Sequence, residues 1–416
     1  MSTITDVPGY LKNVLTMVLA GGRGERLYPL TKDRAKPSVP FGGIYRIIDF
    51  PLSNCLNSGL RRIYLLTQYK SISLDRHISQ AWNILSGEMG EFIATIPPQQ
   101  RLAESWYLGT ADAIYQNIYT LQSQRPARVL ILSGDHIYKM NYLDMLRFHE
   151  EKEAQITVAC VEASIERAAG QLGVVEVDSS MRIVGFQEKP QCPKPTPHNE
   201  KKAFCSMGVY IFNTEDLIHC VTDDAKKKTE HDFGRNVIPT EIGLKKVFAY
   251  NFIDENKKEV LYWRDIGTTD AYYEANMDLV QVDPVFNLYD TNWPIRTLQP
   301  QMPPAKTVFA DEWEGGRRAV VLDSLICHGC IISGGRVQRS ILSPGVRVDD
   351  YAEVTDSLLF EDVHVGKGAK IRHTIVDKRV TIPENSFIGF DLEQDRKRFT
   401  VTDSGIVVIP RMMKLE

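Results

Sequence analysis

From residue 13 to about 280, short β-branched apolar runs alternate with stretches whose apolar residues recur at helical spacing. The runs at 14–19, 63–67, 129–132, 156–161 and 209–212 predict strands. The periodic segments at 74–85, 112–122, 142–153 and 269–280 predict helices. Strands that are apolar throughout are those of a parallel sheet covered by helices on both faces. Ligands of such sheets sit beyond the carboxyl ends of the strands. Two polar segments then share one edge: Gly21-Gly22-Arg23-Gly24 after the first run and Gly134-Asp135-His136 after the third.

Residues 283–305 are rich in proline and polar side chains, as in Trp293-Pro294 and Met302-Pro303-Pro304, and read as a linker. Beyond them the period changes. Apolar residues return every six positions at Ile326 and Ile332, at Leu342, Val348, Val354 and Phe360, and at Val376, Ile382 and Ile388. A six-residue repeat predicts a parallel β-helix whose coils stack aliphatic residues inward. An antiparallel sandwich would need hairpin dipeptides at regular intervals, and none recurs. Breaks in the count, such as that between Ile332 and Leu342, predict shorter or distorted turns.

At 416 residues the chain exceeds one ordinary core, so two domains are expected. Its 49 basic and 53 acidic residues form no long basic run, which argues against a nucleic-acid partner but leaves room for a local anion pocket. No apolar stretch approaches the roughly 18 residues of a membrane span, and residues 1–6 lack the basic and apolar regions of a signal peptide. No membrane partner is expected. Seven scattered cysteines suit reduced thiols in a cytoplasm. Cys327-His328-Gly329-Cys330 has no second ligand pair at zinc spacing and reads as buried or incidental thiols.

Glycines at the end of a buried strand let backbone N–H groups close on an anion. The same glycines also serve a plain strand-to-helix turn. The loop lacks the Gly-Lys-Ser/Thr of a Walker motif, and the residues downstream are basic, Arg34 and Lys36, where a dinucleotide fingerprint needs an acid. A triphosphate fits better. Asp135 and Asp265, from separate segments, are hard carboxylates that would suit Mg²⁺ beside phosphates; singly, each also reads as a turn or capping residue. Lys189, before Pro190, is either a phosphate anchor or a solvated loop lysine.

Several of these segments, with others, resemble one family along nearly the whole chain. They are Leu19-Ala20-Gly21-Gly22-Arg23-Gly24, Arg34-Ala35-Lys36-Pro37, Trp106-Tyr107-Leu108-Gly109-Thr110-Ala111-Asp112, Gly134-Asp135-His136, Glu188-Lys189-Pro190, His231-Asp232-Phe233-Gly234, Tyr262-Trp263-Arg264-Asp265 and Trp293-Pro294-Ile295-Arg296-Thr297. The chain resembles the ADP-glucose pyrophosphorylases, or glucose-1-phosphate adenylyltransferases. The glycine loop and Glu-Lys-Pro are common to sugar nucleotidyltransferases; the segment from Trp106 to Asp112, His231-Asp232-Phe233-Gly234 and Trp293-Pro294-Ile295-Arg296-Thr297 are more particular to the adenylyl branch.

The resemblance implies an α/β fold: a Rossmann-like, mostly parallel nucleotidyltransferase domain at 1–282, a linker at 283–310 and a left-handed parallel β-helix at 311–416. It implies ATP and α-D-glucose 1-phosphate as substrates and ADP-glucose and pyrophosphate as products. Asp135 and Asp265 match metal-binding positions, with Mg²⁺ as cofactor. Arg26 and Lys36 match groups that neutralise the pyrophosphate. Gly21, Gly22, Gln100, Tyr107 and Gly109 match the nucleotide side. Tyr107, Gly173, Glu188, Lys189, Ser206 and Asp232 match the sugar-phosphate side. Arg34, Arg46, Arg296 and Lys378 match positions that bind anionic effectors in a family commonly tetrameric, so a homotetramer with an anionic metabolite effector is expected. Asp33 stands where relatives activated by fructose bisphosphate carry lysine, which disfavours that activator. A UDP- or dTDP-glucose enzyme, a catalytically weak regulatory subunit and a bifunctional acyltransferase are the competing readings.

Overall fold

A computed structural model describes residues 6–22, 24–98, 106–196, 198–254, 259–308, 310–311 and 316–415. The strand Val14–Ala20 lies in the middle of a nine-stranded sheet and is buried along almost its whole length. It pairs in parallel with Arg62–Thr67 on one side and Arg128–Ser133 on the other, and Phe92–Ile96 extends the parallel half. Beyond Arg128–Ser133 the sheet changes character. The long strand Lys202–Asn213 runs antiparallel to it and to Ile156–Ser164, which in turn carries Val247–Asn251 in parallel. The sheet is therefore mixed. The unbroken apolarity of 209–212 predicts a parallel strand, and the strand is antiparallel because apolarity reports burial on both faces and not strand direction.

The helices form near their expected places, as Ile72–Ala81, Tyr142–Glu151 and Thr269–Met277. The segment 112–122 departs most: it is two helices, Thr110–Tyr115 and Ile118–Gln124. Asn117 lies at the break, where its side-chain Nδ2 donates to the Ala113 carbonyl at 2.8 Å and its own N–H turns to Ile114 instead. That competition by a short amide side chain interrupts the helical ladder.

From Lys306 onward the chain winds into a parallel β-helix of three sheets. Val348 pairs with Val365 and that with Ile382; Val354 pairs with Ile371 and Leu359 with Val376. These partners are about 17 residues apart, so one turn of each coil is a residue short of six. The interior residue of one such corner is accordingly Leu359. Phe360, expected inside, faces the N-terminal unit, its ring 6.5 Å from that of Tyr272.

The two units share one apolar cluster, in which Leu30, Phe41, Phe50, Tyr272 and Leu279 pack with Ile341, Leu358, Ile375 and Val408. Residues 283–305 are no loose tether. Trp293 donates to Asn54 Oδ1 at 2.8 Å, and Arg296 N–H donates to Ser53 Oγ, so this strap lies along the helix Asp49–Asn57. A buried ion pair crosses the junction: Arg34 Nη2 lies 2.7 and 2.6 Å from the two carboxylate oxygens of Asp377. Removing one member of a buried pair strands the other charge, at a cost of about 3–5 kcal/mol, whereas replacing both with apolar groups of similar volume is often neutral. Asp377→Ala is therefore expected to lower unfolding stability by about that amount in urea titration, and Arg34→Met with Asp377→Leu to recover most of it. Equal stability of wild type and Asp377→Ala would show that the pair contributes nothing.

Candidate active site

Three parallel strands end on one edge, and each delivers a site segment there. Val14–Ala20 leads into Gly21-Gly22, Arg62–Thr67 into Gln68, and Arg128–Ser133 into Gly134-Asp135. The short strand His136–Tyr138 then pairs antiparallel with Trp263–Asp265, placing Asp265 opposite His136. This edge borders a cleft of about 1190 Å³, lined among others by Gly21, Gly22, Gln68, Tyr107, Gly109, Asp135, Glu188, Lys189 and Asp232.

Behind Asp135, which lines the cleft, buried Lys36 places its ammonium 2.7 Å from Asp135 Oδ2 and 3.6 Å from Asp265 Oδ1. Gly24, at φ +64°, leaves room for Lys36, whose Cβ would lie 3.0 Å from any Cβ at that glycine. Ser133 donates its hydroxyl to Asp135. Burial by itself would raise the Asp135 carboxyl, but Lys36 and then His136 outweigh it and hold the group well below the usual carboxylate range. Ligand atoms of Asp135, His136 and Asp265 all lie within 4.8 Å of one another. Arg26 is exposed on the short turn Glu25–Leu27, with its backbone carbonyl accepting from Thr269.

The opposite wall is built around Glu188. A Cβ at Gly173 would lie 2.7 Å, and one at Gly234 2.9 Å, from its Oε2, so both glycines make space for this carboxylate. Burial raises its pKa, and Asp232 adds to that, against the opposing charge of Lys189. Lys189 stands at φ +50° and its N–H donates to Leu172 O, which fixes the backbone from which its half-exposed ammonium projects. Ser206 lies behind, its N–H on Gly173 O and its hydroxyl accepting from Gly208 N–H. Asp232 has structural duties: Oδ1 caps Gly234 and Arg235, and Oδ2 accepts from Thr110. Tyr107 is held by Asn117 at its hydroxyl and by Gln68 at its carbonyl.

The four anion-site candidates behave differently. Arg34 is engaged by Asp377. Arg46, on the adjoining hairpin, donates to Ser73, and Lys378 lies 2.6 Å from Glu361. Burial would raise Glu361, but the charges of Lys378, Arg46 and Arg34 converge on it and hold it below its usual value. Burial likewise pushes Lys378 down to about 8, opposed by Glu361 and reinforced by Arg46 and Arg34. Arg296 is exposed on the strap. Gln100 lies outside the described residues. Cys327 and Cys330 are free thiols, raised by burial to about 12 and about 11. Gln68 and His136 were missed as site residues; Gln68 directly follows a parallel strand, a signal that alone would have found it.

A Rossmann-like sheet whose glycine loop and Asp135 line one cleft, with Asp265 beside Asp135, defines a nucleotidyltransferase, and a sequence model described as Nucleotidyl transferase matches residues 15–282. One described as GlmU-like, C-terminal hexapeptide, matches residues 303–409, the left-handed β-helix. The chain is 56% identical over 404 residues to the glucose-1-phosphate adenylyltransferase of Rhodopirellula baltica, covering 96% of this chain and 90% of the relative. It is 55% identical to that of Koribacter versatilis (95% of each chain) and 50% identical to that of Methylococcus capsulatus (96% and 93%). The chain belongs to the glucose-1-phosphate adenylyltransferase family.

Two loop glycines separate fold from ligand. A Cβ at Gly22 would meet nothing within 4 Å, whereas one at Gly109 would press on the backbone carbonyls of Glu230 and His231 at 2.2 and 2.3 Å. Gly109→Ala is expected to lose about 1–3 kcal/mol of stability and Gly22→Ala less than about 0.5, as read by thermal denaturation. Equal effects would mean that the Gly109 contact yields without cost.

Proposed function

We propose that this cleft joins ATP to α-D-glucose 1-phosphate, giving ADP-glucose and pyrophosphate for α-1,4-glucan synthesis. The arrangement of the walls carries the reading: Lys36 between Asp135 and Asp265 beside the glycine loop, and Lys189 with Glu188 across the same cleft. A phosphate oxygen of the sugar attacks the α-phosphorus of ATP in line, and pyrophosphate leaves. Such a reaction needs positioning and charge neutralisation more than a covalent nucleophile. Gly21 and Gly22 let the backbone approach the triphosphate, and Arg26 and Lys36 neutralise the departing pyrophosphate. Tyr107 and Gly109 bound the nucleotide side. Lys189 grips the sugar phosphate, while Glu188, Gly173 and Ser206 shape the sugar side and Asp232 fixes that wall. Two hard carboxylates at a phosphate cleft fit Mg²⁺, held by Asp135 and Asp265. When bound, the ion supplies Lewis-acid charge neutralisation to the phosphates. Presence of Arg26, Lys36, Asp135, Lys189 and Asp265 together favours a catalytic chain over a weak regulatory subunit.

Pyrophosphate release measured with ATP, UTP and dTTP tests this. ATP is the expected substrate. Asp135→Asn should lower kcat roughly 100-fold, about 3 kcal/mol of transition-state stabilisation. Lys189→Ala should raise KM for glucose 1-phosphate by about 10-fold or more, the worth of a charge-assisted hydrogen bond, with KM for ATP little changed. Preference for UTP, or near-normal turnover of Asp135→Asn, would overturn the reading.

We further infer a homotetramer in a reducing, cytoplasmic setting, supported by exposed Phe387, Phe390 and Met412 on the β-helix unit and by seven free thiols. An anionic metabolite binds at the domain junction, through Arg46 and Lys378. Exposed Asp33 disfavours fructose 1,6-bisphosphate, so 3-phosphoglycerate is the better probe. Its apparent affinity should fall about 10-fold or more in Lys378→Ala, the worth of a charge-assisted hydrogen bond. Because Lys378 is charged only below its lowered pKa near 8, affinity should also weaken between pH 7 and 9. A response unchanged by both treatments would exclude this site.

A further inference from the structure

We infer that His136 is a third metal donor of the active site, completing a set of two carboxylates and one imidazole with Asp135 and Asp265. The inference rests on the Mg²⁺ reading above and extends it. Chain direction brings the three together: His136 follows Asp135 and stands opposite Asp265 in the two-stranded ribbon. Its Nε2 lies 3.3 Å from Asp135 Oδ1 and 3.7 Å from Asp265 Oδ1. Both separations exceed the 2.7–3.2 Å of an ordinary N–H···O bond, yet the three ligand atoms lie close enough to surround one ion.

The ring is buried and its orientation is fixed. It stands edge-on to Trp263 at 5.2 Å between centroids, and its Cε1 would be 3.4 Å from any Cβ at Gly208. Nδ1 is buried and meets no hydrogen-bonding group among the described residues. Lys36 takes Asp135 Oδ2, so the oxygen facing the imidazole is Oδ1. Ser133 also donates to Oδ1, which a carboxylate oxygen with two lone pairs tolerates. Carboxylates alone suit Mg²⁺, whereas an imidazole adds affinity for later divalent metals. His136 therefore shifts selectivity towards Mn²⁺ relative to Mg²⁺.

The test is Mn²⁺ titration of the full-length protein by electron paramagnetic resonance, with Mg²⁺ affinity from competition and electron spin-echo modulation on the bound ion. In the wild type, ¹⁴N modulation from one imidazole is expected. His136→Ala and His136→Asn should lose it, with Mn²⁺ affinity reduced about 10-fold or more and Mg²⁺ affinity less than about 3-fold. Absence of ¹⁴N modulation in the wild type, its persistence in His136→Ala, or equal loss of both metals overturns the assignment, the last marking a purely structural role. Asp135→Asn keeps the two readings apart. If it binds Mn²⁺ like the wild type, or if the wild type binds none, the metal site itself fails. If it alone loses the metal, only the imidazole donor fails.

Discussion

The architecture depends on burying two cations two residues apart, Arg34 and Lys36, on one short segment. An unpaired buried ammonium or guanidinium costs several kcal/mol, so each must meet a carboxylate wherever the chain can deliver one. Lys36 finds Asp135 and Asp265 at the cleft, and Arg34 finds Asp377 on the β-helix. Ala35 between them is fully buried and its N–H donates to Lys70 O, which fixes the backbone from which both cations project. The β-helix and the two carboxylates beside the cleft thus both bind the same three-residue segment.

A second buried charge fixes the surroundings of this segment. Asp49 is completely buried and accepts four hydrogen bonds, from the His77 ring, Trp82 Nε1, the Arg46 N–H and the Thr297 hydroxyl. One carboxylate therefore joins the helix Asp49–Asn57, the helix Ile72–Ala81, the hairpin carrying Arg46 and the strap. The strap's proline-rich composition kept it from forming regular structure, but its polar side chains serve as fasteners. This is why a segment that reads as a linker behaves as part of the catalytic unit.

The placement of site segments was legible in the sequence wherever one strand end determined it. The glycine loop, Asp135 and Lys189 stand where their motifs and preceding strands imply, and the apolar repeat announces the β-helix. Distant pairing was not legible. Nothing near Arg34 discloses that its partner is Asp377, and an arginine among phosphate-loop residues reads naturally as an anion ligand. Strand direction at 209–212 and the exchange of Phe360 for Leu359 escaped for a related reason: apolarity records burial, while the neighbour that does the burying is set by the whole fold. Asn117 was a local signal passed over, since a short amide inside a helical pattern competes for backbone acceptors.

The apolar and polar parts of the junction have different consequences for control. The shared core, in which the Phe360 ring meets that of Tyr272, sets the orientation of the two units and offers no charge for a small ion to act on. Beside it, three cations, Arg34, Arg46 and Lys378, face Glu361 and Asp377. Burial depresses the pKa values of Arg46 and Lys378, and the neighbouring cations depress them further. Cations that repel one another at a buried site are what an arriving anion stabilises. Its effect would be felt by the segment sharing that charge cluster, which also carries Lys36. On the proposed anion reading, a small change in how Arg34 shares Asp377 would reach Lys36 along this short segment, with no rotation of the β-helix required.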